Sequence, residues 1–433
     1  MNNKVDVLLG LQWGDEGKGK VVDYLSTNYD IIARFNGGPN AGHTLEFNGI
    51  KHALHIIPSG ICHKEKQNII GNGVLVEPII FLEEIESLHN IGFTPEDNLI
   101  LSNKAHLILP THRMMDAANE KSKGDRKIGS TLKGIGPAYT DKIARTGVRI
   151  GDIFEPDFRE KYQRAKESHI RHIESLGFST DEFQIDGKSL TEYETLWLEA
   201  IEKVRKFNII DTEYYINEQI NQGKRVLAEG AQATMLDIDF GSYPFVTSST
   251  TVSAGVCSGL GIAPTKIGKV FGTTKAYCTR VGSGPFPTEL FDETGEMLCQ
   301  QGHEFGSTTG RRRRTGWLDM VALKYACMIN GVTDIMLMKI DVMDNFPTIK
   351  VCEKYNIGGK EIDYMPYNME AEKIEPVYRE YPGWQTSVSK IREFDNLPEN
   401  MQSYIRSIEE QTGVSVSLIS VSPDRDDTIF RNK

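Results

Sequence analysis

The segment from Gly14 to Lys20, Gly-Asp-Glu-Gly-Lys-Gly-Lys, has the composition of a loop that binds phosphate. Its glycines allow backbone N–H groups to surround an anion, and the N-terminus of a following helix favours negative charge. Lys18 is placed to reach terminal phosphate oxygens. The segment departs from the standard P-loop pattern, because Gln12 stands where that pattern has its first glycine and Gly19 where it has Ser or Thr.

Asp15 lies inside this loop, where a carboxylate is electrostatically costly unless it binds a metal ion or takes part in chemistry. The hydroxyl that usually holds Mg²⁺ is missing from the loop, and Asp15 is the nearest candidate to replace it. The alternative is a glycine-rich turn that binds no ligand. We favour the functional interpretation.

A second glycine cluster, Asn-Gly-Gly-Pro-Asn-Ala-Gly-His-Thr at 36–44, directly follows a predicted strand. Because the carboxyl ends of parallel strands lie at one edge of a sheet, we expect it beside the first loop. His43 can donate a proton or a hydrogen bond there, and the carbonyl of Gly42 can bind Mg²⁺. A tight turn with an incidental histidine is an equally weighted alternative at this point.

A third pattern is the strand end Met338-Lys339-Ile340-Asp341. An Asp in this position can accept hydrogen bonds from both N1–H and the 2-amino group of guanine. Adenine lacks that pair of donors, so the carboxylate would be left unpaired, which discriminates strongly. A short Lys-x-Asp is common by chance, and its weight comes from its combination with a phosphate loop.

Four consecutive arginines occupy 311–314, between Thr308-Thr309-Gly310 and Thr315-Gly316. In an acidic chain this context favours bidentate contacts to carboxylate, sugar or phosphate. A second basic group at 142–149 has the pattern of a helix surface. The pairs His52/His55 and His169/His172 lack companion ligands at metal-binding spacing, and we interpret the second pair as solvated.

The elements that must position these residues are those of an α/β protein, because apolar β-branched runs alternate with helical patterns. We predict a large, mostly parallel central sheet flanked by helices, P-loop-NTPase-like, with helical insertions. The charged stretch at about 156–208 is one such insertion in a single domain of residues 1–433. The predicted strands are 5–9, 31–35, 69–70, 99–102, 225–228, 269–271, 334–340 and 414–420, and the clearest helices are 20–25, 79–88 and 317–328.

Composition excludes several classes of protein. The 433 residues are 25% charged and 39% hydrophobic with a net charge of −11, which argues against a general nucleic-acid binder. The N-terminus does not resemble a signal peptide, and the chain lacks an apolar run of the roughly 18 residues that a membrane span needs. Six scattered cysteines are typical of reduced thiols, so we expect a cytoplasmic protein.

In this order, these segments and several others resemble the adenylosuccinate synthetase family, from about residue 5 to the C-terminus. The matching segments are 12–20 (Gln-Trp-Gly-Asp-Glu-Gly-Lys-Gly-Lys), 42–44 (Gly-His-Thr), 134–139 (Gly-Ile-Gly-Pro-Ala-Tyr), 229–232 (Glu-Gly-Ala-Gln), 243–249 (Tyr-Pro-Phe-Val-Thr-Ser-Ser), 284–290 (Gly-Pro-Phe-Pro-Thr-Glu-Leu) and 309–317 (Thr-Gly-Arg-Arg-Arg-Arg-Thr-Gly-Trp). The resemblance implies a GTP-dependent ligase that forms adenylosuccinate from IMP and L-aspartate, releasing GDP and phosphate. This is the first committed step of AMP synthesis from IMP.

The resemblance also implies a two-step mechanism with one Mg²⁺ per subunit and GTP as co-substrate. Asp15 matches the base that removes the N1 proton of IMP and, with the Gly42 carbonyl, binds Mg²⁺. O6 then attacks the γ-phosphate to give 6-phosphoryl-IMP, with His43 as acid and Lys18 stabilising the transferred group. Gln232 matches a further catalytic position. The amino group of aspartate finally displaces phosphate at C6.

The binding positions that the resemblance implies fall into three groups in a homodimer, with Arg145 contributed across the interface. Those for IMP are Asp15, Lys18, Asn40, His43, Thr131, Arg145, Gln232, Thr247 and Arg312. Those for aspartate are Thr308, Thr309, Gly310 and Arg311. Those for GTP are Gly14, Glu16, Gly17, Lys18, Gly19, Lys20, Gly42, His43, Thr44, Arg314, Lys339, Ile340, Asp341, Ser420, Val421 and Ser422.

The chain departs from the family pattern at Leu132-Lys133, where Gly-Arg is frequent, at Ser422, where Gly is usual, and at 250–266. Two alternatives remain at this stage. A regulatory GTP-binding switch does not explain Asp15 or the arginine run. A dinucleotide-binding oxidoreductase requires a different glycine spacing and an acidic residue after the second strand, where Asn36 stands.

Overall fold

The computed structural model describes residues 4–47, 49–306, 310–370, 373–424 and 426–431. Its strands are β1 (Val5–Gly10), β2 (Ile31–Arg34), β3 (His43–Phe47), β4 (Ile50–Leu54), β5 (Gln67–Ile70), β6 (Leu75–Val76), β7 (Leu99–Ser102), β8 (His106–Leu107), β9 (Asn208–Ile210), β10 (Val226–Glu229), β11 (Ile267–Lys275), β12 (Cys278–Arg280), β13 (Arg314–Gly316), β14 (Leu318–Asp319), β15 (Asp334–Met338), β16 (Thr348–Ile357), β17 (Lys360–Ile362), β18 (Ile374–Pro382), β19 (Ser415–Ser420) and β20 (Thr428–Phe430). Its helices are α1 (Lys18–Ser26), α2 (Pro78–Asn90), α3 (Pro110–Ser122), α4 (Ile135–Ala144), α5 (Phe158–Ser175), α6 (Leu190–Val204), α7 (Thr212–Asn221), α8 (Gly255–Leu260), α9 (Glu293–Gln301), α10 (Met320–Asn330) and α11 (Glu399–Thr412).

The central sheet has ten strands in the order β20-β19-β15-β11-β1-β10-β2-β5-β7-β9. Its neighbours pair in parallel, except that β20 runs antiparallel to β19. Helices cover it, so its inner strands are buried along their length, as in β10 with all four residues buried. The predicted large, mostly parallel sheet is confirmed, and all eight predicted strands belong to it.

Two predicted elements end earlier or begin later than expected. β15 ends at Met338 because Lys339 adopts a left-handed conformation, φ 58°, that turns the chain into a short 3₁₀ helix containing Asp341. The helix predicted at 317–328 begins at Met320, and Asp319 caps it by accepting a hydrogen bond from the Ala322 N–H at 3.0 Å. Both differences place a carboxylate at the junction of a strand and a helix.

The charged stretch after residue 156 forms the predicted helical insertion, α5 and α6. Tyr162 of α5 stacks on Trp197 of α6, and the Trp197 indole N–H donates to the Ile108 carbonyl at 3.0 Å. The interpretation of His169 as solvated is wrong: its side chain is buried on the inner face of α5, while His172 is exposed. The buried positions of α5 are 158, 162, 165, 169 and 173, so His169 lies within the buried stripe and His172 lies outside it.

A second, smaller sheet of β14, β16, β17 and β18 was not predicted from the sequence. β18 pairs with β16 and is partly exposed, and its residues lack the apolar alternation of a half-buried strand. None of the helices that the structure describes combines the length and apolar character needed to cross a bilayer.

Candidate active site

Several of the predicted functional segments lie at one edge of the central sheet, at the carboxyl ends of its strands. Along that edge, β19 ends in Ser420 and leads to Ser422, β15 is followed by Lys339–Asp341, β1 by Gly14–Lys20, β10 by Gln232 and β2 by Asn40–Thr44, with β11 between β15 and β1. The strand order therefore arranges the candidate guanine segment, the phosphate loop and the candidate IMP residues as a continuous series. This order could not be read from the chain, because it depends on which strands are neighbours.

Strained backbone is concentrated in the same residues. Among the described residues, eight other than glycine have φ in the left-handed region, and four of these are predicted site residues: Asp15, Arg145, Gln232 and Lys339. Such conformations are unfavourable for residues with a Cβ and persist where the surrounding structure holds them. Their concentration supports functional roles for these positions.

The phosphate loop is arranged to bind an anion, and in this structure it binds the carboxylate of Glu16. Glu16 is fully buried and accepts hydrogen bonds from the N–H groups of Gln12, at 3.1 Å, and Gly14, at 2.8 Å. Its other oxygen binds Lys18 Nζ at 2.7 Å. Gly17 caps α1 with a φ of 86°, which favours glycine. The loop thus presents N–H donors, a helix N-terminus and a lysine to one negative group.

The space around Gly19 is too small for the Ser or Thr that is usual at this position of a P-loop. A Cβ at this position would lie 2.8 Å from the Thr44 carbonyl oxygen and 3.3 Å from the His43 carbonyl carbon. The first turn of α1 therefore touches the backbone of the second glycine cluster directly, and a side chain would separate them. The two predicted loops are thus brought together, as expected.

His43 is held by Glu229, a residue to which the sequence analysis gave no role. Nδ1 of the buried His43 bonds to Glu229 Oε1, which also accepts from Ser59 Oγ at 2.6 Å. Burial lowers the pKa of His43. Burial opposes ionisation of Glu229, but His43, Arg34 and Ser59 outweigh it and lower the pKa of Glu229. The carboxylate therefore accepts the Nδ1 proton, and Nε2 faces away from it.

Several buried polar atoms around these loops lack a hydrogen-bond partner among the described residues. They are Asn40 Oδ1, His43 Nε2 and both amide atoms of Gln232. Buried polar groups are normally satisfied, so these atoms fit a polar ligand that supplies both donors and acceptors. A Cβ on Gly37 would lie 3.0 Å from Gln232 Oε1, and one on Gly136 would lie 3.5 Å from Ser248 Oγ. The 36–44 loop thus lies beside Gln232, and the start of α4 beside the segment containing Thr247.

Asp15 is joined to a buried charge network that the sequence analysis also missed. Arg313 Nε donates to Asp15 Oδ2 at 2.7 Å, and Arg313 Nη1 donates to Glu304 Oε2 at 2.7 Å. Glu304 also binds Lys275 and Lys339, each at 2.8 Å. Burial opposes its ionisation, but the three cations hold the pKa of Glu304 well below its usual range. One carboxylate thus connects the arginine run, Lys339 and, through Arg313, Asp15.

The candidate guanine segment adjoins the phosphate loop. Lys20 Nζ donates to Ser420 Oγ at 2.8 Å and to the Ser422 carbonyl at 2.7 Å. Met338 Cε lies 3.4 Å from where a Cβ on Gly17 would be. Burial raises the pKa of Asp341 to about 6 and lowers that of Lys20 to about 8. A desolvated carboxylate of this kind favours a partner that offers hydrogen-bond donors.

The arginine run does not converge on one point. Arg312 Nη2 binds Glu296 of α9 at 2.6 Å, and Arg314 binds both oxygens of Glu289. Arg313 instead binds Asp15. Gly310 has a φ of 63° and Arg311 is exposed, whereas Thr308 and Thr309 lie outside the described residues. In this conformation Arg312 contacts α9 rather than any other predicted IMP residue.

Thr131 and Arg145 flank α4. Thr131 is exposed in the loop before this helix, and Arg145 is its C-cap with a φ of 66°. The Arg145 side chain is exposed and forms no ion pair or hydrogen bond with the part of the chain that the structure describes. An exposed, unpaired arginine on a strained turn is available to another molecule.

We expect Glu229→Gln to lower kcat by about 10²-fold, within the range for a positioned acid group. Loss of the carboxylate removes the charge that stabilises protonated His43, so the pKa of His43 falls further. The alkaline limb of kcat against pH, where the acid loses its proton, therefore moves to lower pH. Ser59→Ala is the matched control, since it removes one hydrogen bond to Glu229 and keeps the charge. An unchanged kcat in Glu229→Gln, or an equal loss in Ser59→Ala, contradicts the role.

Comparison with known proteins identifies relatives across almost the whole chain. The family model described as adenylosuccinate synthetase matches residues 7–429. The chain is 58% identical over 428 residues to the adenylosuccinate synthetase of Bacteroides thetaiotaomicron, covering 99% of each. It is 57% identical over 428 residues to that of Porphyromonas gingivalis, also covering 99% of each.

Solved structures agree with these relatives. The fully ligated adenylosuccinate synthetase of Plasmodium falciparum superposes with a TM-score of 0.90 at 40% identity, covering 99% of this chain and 100% of that one. A succinoaminodeoxyadenylate synthetase of cyanophage S-2L superposes with a TM-score of 0.61 at 18% identity, covering 99% and 96%. The second likeness concerns the fold alone.

Proposed function

The chain belongs to the adenylosuccinate synthetase family, which makes adenylosuccinate from IMP and aspartate using GTP, and we propose that Asp15 is the base of its first step. The observation that carries this proposal is the position of Asp15 inside the phosphate loop, bound to Arg313 at 2.7 Å. The contact with Arg313 fixes the Asp15 carboxylate within the phosphate loop, next to where the phosphoryl group would be transferred. Turnover of GTP that requires both IMP and aspartate tests the function, whereas a regulatory switch turns over GTP without them.

In the proposed first step, Asp15 removes the N1 proton of IMP and O6 attacks the γ-phosphate of GTP, giving 6-phosphoryl-IMP and GDP. Lys18, which contacts Glu16 in this structure, can transfer its hydrogen bond to the phosphate. His43, supported by Glu229, donates from Nε2 once an anion beside it favours the imidazolium. In the second step the amino group of aspartate attacks C6, and the C6–O bond breaks to release phosphate.

The residues at this site fit Mg²⁺. Asp15 is about one-third exposed, with a relative side-chain accessibility of 33%, and its Oδ1 forms no hydrogen bond with the described residues. Gly42 contributes a carbonyl directly before β3, whose first residues touch α1. Carboxylate and carbonyl oxygens are ligands that Mg²⁺ prefers. A Mg²⁺ ion held by Asp15 and the Gly42 carbonyl would supply positive charge that offsets the charge of the phosphate groups.

We further propose a homodimer in which Arg145 contacts the IMP phosphate bound by the partner. Its support is the match of Arg145 to the family's cross-subunit arginine, and the exposed, unpaired state of its guanidinium. The proposed IMP contacts from the same subunit as the site include Asn40, Thr131 and Thr247. A single domain of residues 1–433 and a cytoplasmic location stay predictions.

Mixing two inactive variants tests the shared site. We expect Asp15→Asn and Arg145→Leu to be nearly inactive as pure dimers, and an equal mixture to recover about one quarter of wild-type activity after exchange. Half of the dimers are then heterodimers, in which one site has both defects and the other has neither. Subunit exchange is verified with differently tagged chains. If exchange occurs and no activity returns, Arg145 acts within its own subunit or not on IMP.

A further inference from the structure

A buried cluster of His112, Asp141 and His169 connects α3, α4 and α5. The Nε2 atoms of His112 and His169 lie 3.0 Å and 2.8 Å from the same oxygen of Asp141, Oδ2. Thr111 Oγ1 lies 2.7 Å from the other ring nitrogen of His169. Both imidazoles are almost fully buried, and their rings are 4.6 Å apart. The proposed chemistry uses none of these groups.

The cluster resembles a metal site, but the hydrogen bonds of His112 exclude that role. The ligand atoms of the three residues lie within 4.8 Å of one another. However, Nδ1 of His112 accepts the Leu109 N–H at 3.0 Å, so the proton of the neutral ring is on Nε2 and is donated to Asp141. Burial lowers the pKa of His112 to about 4. The atom that would bind a metal therefore carries a proton.

The remaining hydrogen bonds of Asp141 hold the turn that carries Arg145. Its Oδ1 accepts from Thr146 Oγ1 at 3.0 Å, and its carbonyl accepts from the N–H groups of Thr146, at 3.0 Å, and Gly147, at 3.2 Å. Arg145 lies between these anchors with a φ of 66°. The left-handed conformation is unfavourable for arginine, so the turn needs such anchors to persist.

We propose that Asp141, held by His112 and His169, is a positioning residue that aims Arg145 at the IMP phosphate. This proposal rests on the proposed role of Arg145 in the partner's site. Asp141 touches no substrate in this account. Its carboxylate fixes α4 against α3 and α5 through the histidines, and it fixes the turn after α4 through Thr146. The orientation of the exposed Arg145 side chain is thereby restricted.

A matched control, Asp116, lies on α3, the helix that carries His112. Asp116 Oδ1 accepts from Ser130 Oγ at 2.6 Å, and its Oδ2 accepts from the Gly134 N–H at 3.0 Å. These bonds hold both sides of the loop that carries Thr131, a proposed contact to IMP in its own subunit. Asp116 and Asp141 therefore have comparable roles. Asp116 anchors a residue proposed to contact IMP in its own subunit, and Asp141 anchors a residue proposed to contact IMP in the partner subunit.

We expect Asp141→Asn to raise KM for IMP by about 10-fold or more and to change KM for GTP less than twofold, since misplacing one contact has effects of this size. The amide of asparagine cannot accept from two histidines and Thr146 at once. Thr146→Val removes only the turn contact and should change KM for IMP in the same direction by a smaller factor. It also serves as the milder variant should Asp141→Asn fold poorly.

The double variant Asp141→Asn/Arg145→Leu tests positioning whichever subunit Arg145 serves. If Asp141 acts through Arg145, the double variant has the KM for IMP of Arg145→Leu alone. If the two effects multiply, Asp141 acts independently of Arg145 and the proposal is wrong. An unchanged KM for IMP in Asp141→Asn overturns it as well.

Heterodimers then locate the defect, with the Asp15→Asn and Arg145→Leu mixture as the reference. The assay uses IMP well below the wild-type KM, where a raised KM lowers the rate. Under this condition Asp141→Asn should recover to about one quarter of wild-type activity with Asp15→Asn and show no recovery with Arg145→Leu, and Asp116→Asn should show the reverse pattern. Recovery with Arg145→Leu instead overturns the proposal. If the reference mixture itself fails, the cross-subunit role is wrong, and the double variant alone decides whether Asp141 positions Arg145.

Discussion

Replacing Asp15 with asparagine is expected to lower kcat by at least about 10²-fold, the effect of losing one positioned catalytic group. The amide has nearly the shape of the carboxylate, but it cannot take the N1 proton of IMP and is a weaker metal ligand. It also loses the charge that faces Arg313 at 2.7 Å. The loss should appear in single-turnover formation of 6-phosphoryl-IMP as well as in steady-state kcat.

Substrate binding separates this chemical role from a structural one. The N–H groups of the loop and Lys18 do not depend on Asp15, so the variant should bind a non-hydrolysable GTP analogue within about fivefold of wild type, well under the catalytic loss. Near-normal turnover by Asp15→Asn would contradict the assignment of Asp15 as the base. Loss of nucleotide binding with an unchanged single-turnover rate would instead make Asp15 a binding residue.

The second large effect concerns nucleotide choice. Asp341→Asn should reverse the preference between GTP and XTP by at least about 10²-fold in kcat/KM, since an unpaired buried group discriminates strongly. The side-chain amide can donate to the 2-keto group of xanthine, whereas the carboxylate accepts from the 2-amino group of guanine. The measurement is kcat/KM for GTP, XTP and ATP with each enzyme.

The pH dependence of KM for GTP is a second test of the role of Asp341. The buried Asp341 has a pKa raised to about 6, and binding guanine requires its anion. The KM for GTP should therefore rise as pH falls through about 6, and this dependence should disappear in Asp341→Asn. Asp344→Asn is the control: Asp344 accepts from the Trp384 indole and the Val388 N–H and should leave the preference for GTP intact. Retained GTP preference in Asp341→Asn contradicts the role.

The main sheet could be predicted because its strands are apolar along their length. Within the predicted runs 5–9 and 225–228, residues 7–9 and 226–228 are buried on both faces, and glycine-rich turns follow them. The strands that were missed lack this signal. β9 and β20 are three-residue edge strands, and β18 is charged and partly exposed, so its pairing with β16 depends on tertiary contacts.

The residues of the candidate site also divide into those that have a local sequence signal and those that do not. Glycine clusters and lysines close together in sequence revealed the loops around Asp15 and His43. The supporting carboxylates could not be found like this, because Glu304 meets Lys275, Lys339 and Arg313 only after folding. Glu229 did carry a signal, since it ends a buried strand whose neighbour leads to the 36–44 loop. The error at His169 has a similar origin: a polar helix sequence does not show which histidine faces a buried aspartate.

The fate of the 6-oxygen of IMP tests the central claim most directly. With IMP labelled with ¹⁸O at C6, GTP, Mg²⁺ and L-aspartate, the account predicts that each adenylosuccinate formed is accompanied by one inorganic phosphate carrying the label. The oxygen becomes the bridge to phosphorus in the first step and leaves with phosphate in the second. Labelled phosphate should be absent when GTP is omitted. Adenylosuccinate formed with unlabelled phosphate, or with the label in water, would contradict phosphoryl transfer to O6.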